Sequence, residues 1–587
     1  MGFDYALVHV KYTIPVAVVL AFLYRPLYTR IDLYKILFLT GIAVTATTPW
    51  DSYLIRQKIW TYPPSVIVGP TLFSIPVEEV FFFVVQTFNT SVLYLLVSKP
   101  IFKPSYLIGP GDRLFGLKAR KYAGQVLIAS LIALGTLLVR ARSEGTYLGL
   151  ILVWAGPFAL LLWTLAYQFL LKLPALNTLV PIAIPTLYLW IVDTLALKRG
   201  TWTIESGTKL GIHVWDGLEI EEAIFFLATN ILIVFGLVAF DNALAVLEAF
   251  PARFPTVSAM PSPFLLVRAL VIDPAQYDKA RISGIQDSIS RLKKKSRSFY
   301  LASSVFSGRL RIDLILLYSF CRVADDLIDE STNEEATLWL SKLSNFLDLS
   351  YASLSPSKRR SEVERCVVND FPPGAQSALL LLPTSVLSRH PLCDLLDGFR
   401  TDLDFSRSVF PIRTEDDLIL YSRRVAGTVA ELCIELVFQY SPSSPVMSAS
   451  QRDFLIRSGG QMGIALQYVN ISRDVVKDAA IGRVYLPTAW LEEEGFKPQH
   501  VIQHPRDEKV EKLRTRLLVK AFAMYREAKD ALAQLPNEAR APMTVAIESY
   551  MEIGRVMQEN GYELSADKAT VPKMRRIKVA WKALNGS

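Results

Sequence analysis

Arg322-Val323-Ala324-Asp325-Asp326-Leu327-Ile328-Asp329-Glu330 and Asn470-Ile471-Ser472-Arg473-Asp474-Val475-Val476-Lys477-Asp478 decide how the second half of this 587-residue chain folds. Asp325 and Asp329 are four residues apart, as are Asn470, Asp474 and Asp478, so each set lies along one stripe of an α-helix. Rows of oxygen donors without sulfur or imidazole suit a hard cation. Mg²⁺ binds in this way, keeping several waters and bridging to substrate phosphates, and Mn²⁺ is the alternative ion. Arg322 and Arg473 stand beside the rows, where a guanidinium can grip phosphate through two parallel bonds. The bland alternative is a pair of solvated helix faces with local ion pairs such as Asp474 with Lys477. One motif alone favours that alternative; two, framed as below, reverse it.

Outward from these motifs, i, i+3, i+4 apolar spacing predicts helices over 283–307, 310–329, 335–347, 415–440, 448–478, 507–533 and 542–559, and strand signals are scarce. The predicted fold class is therefore all-α over residues 276–587. Residues 246–275 read as a linker, with four prolines between 250 and 263. The basic tail 560–587, carrying Lys573, Arg575, Arg576 and Lys578, reads as solvated.

The segments around the acidic rows carry a resemblance. SRSFY at 296–300, YSFCR at 318–322, GFRTDL at 398–403, YSRRVAGTVA at 421–430 and GIALQYVNISRDVVKDAAIGRVYLP at 463–487 resemble, in the same order, the squalene and phytoene synthase family. The resemblance implies an all-α terpenoid-synthase fold. It assigns Asp325, Asp329, Asn470, Asp474 and Asp478 as Mg²⁺ ligands and Arg297, Arg322, Arg473 and Arg483 as diphosphate contacts. Tyr421, as a catalytic residue, and Tyr485 would border the pocket, although for a lone tyrosine core packing is the commoner reason to be there. Lys477 stands where the family is often acidic, and Ala430 where it often has glycine. The implied reaction joins two geranylgeranyl diphosphates head to head to give phytoene. No nicotinamide or flavin fingerprint appears: Gly109-Pro110-Gly111 lacks a third glycine and a strand–helix setting. Phytoene is thus favoured over the reductive squalene outcome.

The first 245 residues are of another kind. The chain is 51% hydrophobic with a mean hydropathy of +0.30, and most of that excess precedes residue 245. Apolar stretches near 5–23, 32–49, 66–97, 123–140, 147–171, 176–197 and 217–240 are each long enough to cross about 30 Å of hydrocarbon as a helix. They predict a polytopic membrane domain of about seven spans, over 1–245, with a lipid bilayer as its partner. No cleavable signal is read at the N-terminus. A slight excess of Lys and Arg on one side favours a cytosolic C-terminal half.

A unit of this domain is present twice, over about 1–100 and 145–245. Asp51, Trp60 and Thr61 recur as Asp193, Trp202 and Thr203, offset by 142, and Ile75-Pro76-Val77-Glu78-Glu79 recurs as Leu218-Glu219-Ile220-Glu221-Glu222, offset by 143. Four helices separate the copies, so both run the same way across the bilayer, with a shared site between them. A carboxylate at a helix centre in lipid costs about 2.5–3.5 kcal/mol. Glu78, Glu79, Glu221 and Glu222 are therefore candidate catalytic residues, with Asp51 and Asp193; the bland reading makes the glutamates helix N-terminal caps. A carboxyl in a greasy pocket can stay in its acid form and serve as a general acid. The duplicated motif resembles the membrane lycopene cyclases, which implies proton-driven closure of lycopene ends to β-ionone rings. Taken together, the two halves resemble a fungal-type bifunctional lycopene cyclase/phytoene synthase, with carotenoid substrates and other carotenogenic enzymes as partners.

The net charge of +8 is spread over the chain, and the one dense basic run, 293–297, lacks interleaved aromatics, so no nucleic acid is expected. The four cysteines show no metal-ligand spacing. Two rival readings use the same residues: the first half as a mere anchor for a squalene-type synthase, or as a transporter or receptor with its glutamates as a proton relay.

Overall fold

Pro76 breaks the third apolar stretch. In the computed structural model, which describes residues 2–108, 114–406, 408–441, 446–559 and 571–586, that stretch is not one helix from 66 to 97. It is a hairpin followed by a helix that starts at Val77. Gly109-Pro110-Gly111 and residues 560–570 of the tail lie outside the described residues. The chain divides into two compact units, Met1–Ile282 and Ser283–Ser587.

The first unit contains seven helices long and apolar enough to cross a membrane: α1 (Asp4–Leu27), α2 (Arg30–Arg56), α3 (Val77–Ser98), α4 (Lys118–Ala141), α5 (Thr146–Lys172), α6 (Leu176–Arg199) and α7 (Ile220–Ala249). Helices α1 to α3 and α5 to α7 are the two copies, and α4 joins them. The glutamate-bearing α3 and α7 are the most deeply buried of the seven, and α4 the least.

In the first copy, β1 (Trp60–Thr61) is followed by a hairpin of β2 (Thr71–Leu72) and β3 (Ile75–Pro76). The turn passes through Phe73 and Ser74, whose φ angles are 51° and 74°. The second copy repeats this with β4 (Thr203–Ile204), β5 (His213–Trp215) and β6 (Leu218–Glu219). The copies meet directly: β1 pairs antiparallel with β4, Thr61 opposite its own counterpart Thr203. Glu219 stands where the first copy has Pro76, yet the backbone is the same, with φ and ψ of −57° and 144° at Pro76 and −66° and 145° at Glu219. Proline holds φ near that value covalently; at Glu219 the carboxylate is instead tied to Lys209 at 2.7 Å and faces His213 at 3.3 Å.

A second polar cluster sits elsewhere in the unit and is fully matched. Asp241 accepts from Lys35 at 2.6 Å, Lys103 at 2.7 Å and Tyr94 at 2.8 Å. Sequence reading gave these residues no part. Removing one partner of such a group strands the others, which costs about 3–5 kcal/mol. Asp241→Ala should therefore lower the melting temperature of the detergent-solubilised protein markedly and reduce its yield, since two lysines would remain in an apolar interior.

The second unit is helical throughout its described residues. It runs through the C-terminal part of α9 (Lys279–Lys295), then α10 (Arg297–Ser303), α11 (Gly308–Asp329), α12 (Asn333–Ser350), α13 (Pro356–Asp370), α14 (Pro373–Leu380), α15 (Arg389–Leu403), α16 (Glu415–Ser422), α17 (Thr428–Tyr440), α18 (Ala449–Ala480), α19 (Thr488–Glu493), α20 (Pro498–Gln503), α21 (Glu508–Leu532), α22 (Asn537–Glu559) and α23 (Lys573–Leu584). In the first unit, the stretch read as linker contains α8 (Pro263–Leu270), capped by the Ser262 hydroxyl. Two expected helices are interrupted: 283–307 breaks at Ser296, which caps α10, and 415–440 opens into a π-turn over Arg423–Gly427. The π-turn presses on α18, where a Cβ on Gly463 would lie 2.5 Å from the Ala426 carbonyl oxygen. The tail read as solvated docks instead: Ala580 and Ala583 pack with Ala302 and Val545, and Arg575 bridges Glu552 at 2.6 Å.

Candidate functional site

Two sites emerge, one in each unit. In the second unit α11 and α18 turn their acidic stripes into one cavity of about 560 Å³, lined by Asp325, Asp329, Asn470, Asp474 and Asp478 together. The stripes face inward because other faces of both helices carry the core: Phe320, Ala324 and Ile328 on α11, Ala465, Tyr468 and Val469 on α18. Deeper lining is apolar, with Leu317, Phe399, Val429, Met462, Leu466 and Ile547. The cavity thus has a charged part suited to phosphate and a greasy part suited to long isoprenoid chains.

Arginines hold the carboxylates. Arg322 pairs with Asp325 at 2.8 Å and also with Asp326. Arg473 donates to Asp474 at 2.8 Å and also binds Asn470. Arg483 reaches across to Asp329 at 2.9 Å and links the two rows. These three guanidiniums and Tyr485 line the cavity; Arg297 is exposed and is not among its lining residues. Lys295, two positions earlier, lines the cavity and pairs with Asp326 at 3.1 Å. The one-residue break at Ser296 sets which of the two basic side chains faces in, and spacing alone does not reveal it.

Asp402 on α15 is the acid that sequence reading passed over. It is buried at the cavity wall and accepts from Tyr485 at 2.7 Å and Tyr421 at 3.3 Å, whose rings stack at 5.0 Å. Its place in GFRTDL was visible, but a single aspartate in a helix carries no pattern of its own.

The charge balance of this cavity tests whether a divalent cation fits. Burial, and then Asp329 alongside, push Asp325 up to about 7; burial, and then Asp474, push Asp478 up to about 8. Burial also raises Asp402 to about 6, against the pull of Arg483 and the two phenols. Carboxylates that resist ionising even with Arg322, Lys477 and Arg483 beside them carry more negative charge than these cations offset, and the donors are all oxygen, which fits a hard divalent ion. Among the described residues no three His, Cys, Asp or Glu side chains already converge as a metal centre. The rows stand on opposite walls with arginines between them, so water and phosphate oxygens would complete any coordination shell.

In the first unit the glutamates occupy the first turns of α3 and α7, and the two members of each pair differ. Glu78 accepts the Val68 backbone N–H at 2.7 Å, and Glu221 accepts that of Leu210 at 2.7 Å, so each anchors the loop before its helix. Glu79 instead accepts phenol hydroxyls from Tyr62 at 2.7 Å and from Tyr5. Glu222 accepts one from Tyr147 at 2.6 Å. Tyr5 and Tyr147 are themselves offset by 142, a recurrence the sequence displayed and motif reading missed.

Asp51 and Asp193 are buried in the same unit. Asp193 accepts the Trp202 indole N–H at 3.1 Å, whereas neither Asp51 oxygen has a partner. One oxygen each of Glu78, Glu221 and Glu222 is also buried without a partner. Against the matched Asp241 cluster, so many unanswered acid oxygens in an apolar bundle single these residues out as a candidate site. Aromatic packing crosses between copies: Tyr5 lies 5.1 Å from Trp202 and Tyr147 lies 6.3 Å from Trp60.

Comparison with known proteins covers both sites. Residues 292–576 match the Squalene/phytoene synthase family, members of which generally use a divalent metal for diphosphate substrates. Over its full length the chain is 60% identical to the bifunctional lycopene cyclase/phytoene synthase of Leptosphaeria maculans and 58% identical to that of Phaeosphaeria nodorum, covering 100% of each chain. A solved dehydrosqualene synthase shares 23% identity, with a TM-score of 0.40 over 52% of this chain and 96% of its own.

Proposed function

The chain belongs to the bifunctional lycopene cyclase/phytoene synthase family, and on that premise we propose that each unit carries one of the two activities at the site described above. The observation that carries this reading is the convergence of two acidic stripes and three arginines on a single half-polar, half-apolar cavity in one unit, with unanswered carboxyl oxygens among aromatics in the other.

In the second unit, two geranylgeranyl diphosphates lie with their chains along the apolar lining and their diphosphates toward the charged part. Mg²⁺ bound by Asp325, Asp329, Asn470, Asp474 and Asp478 would supply neutralisation of the charge that develops as diphosphate departs. Arg322, Arg473 and Arg483 let go of their aspartates and take phosphate oxygens in two-point contacts. Lys295 and Lys477 add positive charge at the same wall. Tyr421 and Tyr485, tied to Asp402, keep a rigid aromatic surface beside the reacting carbons and exclude water from the allylic cation. Phytoene leaves along the apolar side.

In the first unit, a glutamate in its acid form protonates a terminal double bond of lycopene. The next double bond captures the carbocation, and loss of a ring proton to a carboxylate gives the β-ionone ring. Glu79 and Glu222 carry the protons, Glu78 and Glu221 hold the loops, and Asp51 and Asp193 complete the acidic lining. Desaturation of phytoene to lycopene lies between the two steps, so another carotenogenic enzyme must supply it. The protein is multi-pass in its membrane, with the second unit on the cytosolic side, as the slight excess of basic loop residues supports.

Chelation separates the halves. Excess EDTA should stop formation of phytoene from geranylgeranyl diphosphate, added Mg²⁺ should restore it, and cyclisation of supplied lycopene should continue throughout. Phytoene synthesis that persists in chelator would refute the metal assignment.

A further inference from the structure

The two copies of the repeat are not chemical duplicates. Offset by 142, Tyr62 corresponds to Ile204 and His9 to Ile151. Glu79 therefore has two phenol donors on its Oε2, from Tyr5 and Tyr62, while Glu222 has one, on its Oε1. Its Oε2 is buried with no partner, and both Ile151 and Ile204 are buried. Next to the first acid, His9 bonds the Glu78 carbonyl at 3.0 Å and stacks on Tyr5 at 5.1 Å.

Ring closure adds a proton at one carbon and removes one from another, so two acids placed differently can divide the two transfers between them. Donor hydrogen bonds stabilise the charged form of a carboxyl group. An apolar surround with few donors makes the neutral acid the cheaper form to bury.

Resting on the reading that the first unit closes rings, we propose that the copies form a single asymmetric centre in which Glu222 delivers the proton and Glu79 receives it. The Glu222 O–H bond breaks as its proton joins the inner carbon of the terminal double bond, leaving a tertiary cation on the dimethyl carbon. The adjacent double bond then supplies the electron pair of the new ring bond, leaving a tertiary cation. A C–H bond next to that cation breaks, its electrons form the ring double bond, and its proton passes to Glu79 Oε1, the oxygen free of phenols. Proton exchange through water returns the pair to its starting state, so the reaction is a net isomerisation and needs no co-reactant. Tyr5 and Tyr62 are positioning residues for Glu79, and Tyr147 for Glu222. The link between the two acids is aromatic: Tyr147 packs near Trp60, Trp60 near Tyr62 at 6.1 Å, Tyr62 near Tyr5 at 5.7 Å, and Tyr5 near Trp202. The faces of such rings can stabilise the passing cation.

The test is product analysis of single variants in the full chain, in lycopene-supplying membranes. Glu222→Gln should lose all ring formation, by at least about 100-fold, the usual worth of a positioned general acid. Glu79→Gln should keep some ring closure but shift its products to rings with a displaced double bond or to a hydroxylated ring, because the cation loses another proton or meets water. Glu79→Asp should bring back part of the β-ring product. If each single variant retains about half the rate with unchanged β-rings, the copies are two equal centres and the assignment falls. Identical complete loss in both glutamine variants, with no new product and no recovery by Glu79→Asp, also overturns it. If the double variant still makes β-rings, what fails is the wider reading that these glutamates catalyse ring closure.

Discussion

Asp474→Asn is expected to abolish phytoene formation while lycopene supplied from outside is still cyclised. Asp474 sits midway along the α18 stripe and is clasped by Arg473. Its charge serves twice in the proposed cycle: it holds the cation, and it keeps that arginine poised beside the phosphate. Asparagine keeps the shape and one acceptor oxygen but loses the charge. Stabilising the departing diphosphate in a metal site is worth several kcal/mol, so a loss of about 10³-fold or more in kcat/KM is expected. Asp325→Asn on the facing stripe should act alike, and the two losses should not add, because either one leaves the same leaving group unneutralised. Counting phytoene from labelled geranylgeranyl diphosphate in membranes checks this directly. Retained synthesis in both variants would remove the basis for the metal site.

Glu79→Gln combined with Glu222→Gln should have the mirror-image effect: ring closure lost, phytoene synthesis intact. The control is Glu78→Gln with Glu221→Gln. Those two residues accept loop N–H groups through one oxygen, which glutamine can still offer. The control pair should keep most of its cyclase activity, while the first pair should fall below detection. Pigment analysis of cells that make geranylgeranyl diphosphate and a desaturase reads both activities in one extract: acyclic lycopene should accumulate in the first case and cyclic carotenoids in the second. Ring closure unaffected by the first pair would show that residues other than these glutamates carry the protons.

Much of this was legible in the chain itself, for physical reasons that differ between the halves. Lipid demands long apolar helices with their backbones satisfied internally, so seven such helices announce themselves by composition. The acidic rows were legible because a helix repeats every 3.6 residues, and side chains four apart must share a face. The duplicated Asp, Trp and paired glutamates were legible because repetition needs no structural knowledge to detect.

Other features depend on contacts between distant residues. Spacing could not separate Glu78 from Glu79, since adjacent side chains point differently only once the loop and the tyrosines are in place. Tyr5 meets Glu79 across 74 positions of sequence. Lys295 faces the cavity and Arg297 does not because Ser296 ends one helix and caps the next. Asp402 joined the site through two phenols from separate segments, and the basic tail docked because Ala580 and Ala583, three apart on one helical face, let α23 approach α10 and α22 closely.

Local periodicity and composition therefore determined the helices, the membrane half and the identity of the acidic motifs, because those properties are set by a residue and its near neighbours. Which acid faces an arginine, a phenol or an empty apolar space was decided only when the chain closed on itself. Hydrogen bonds and burial act across space, and no interval along the sequence encodes them.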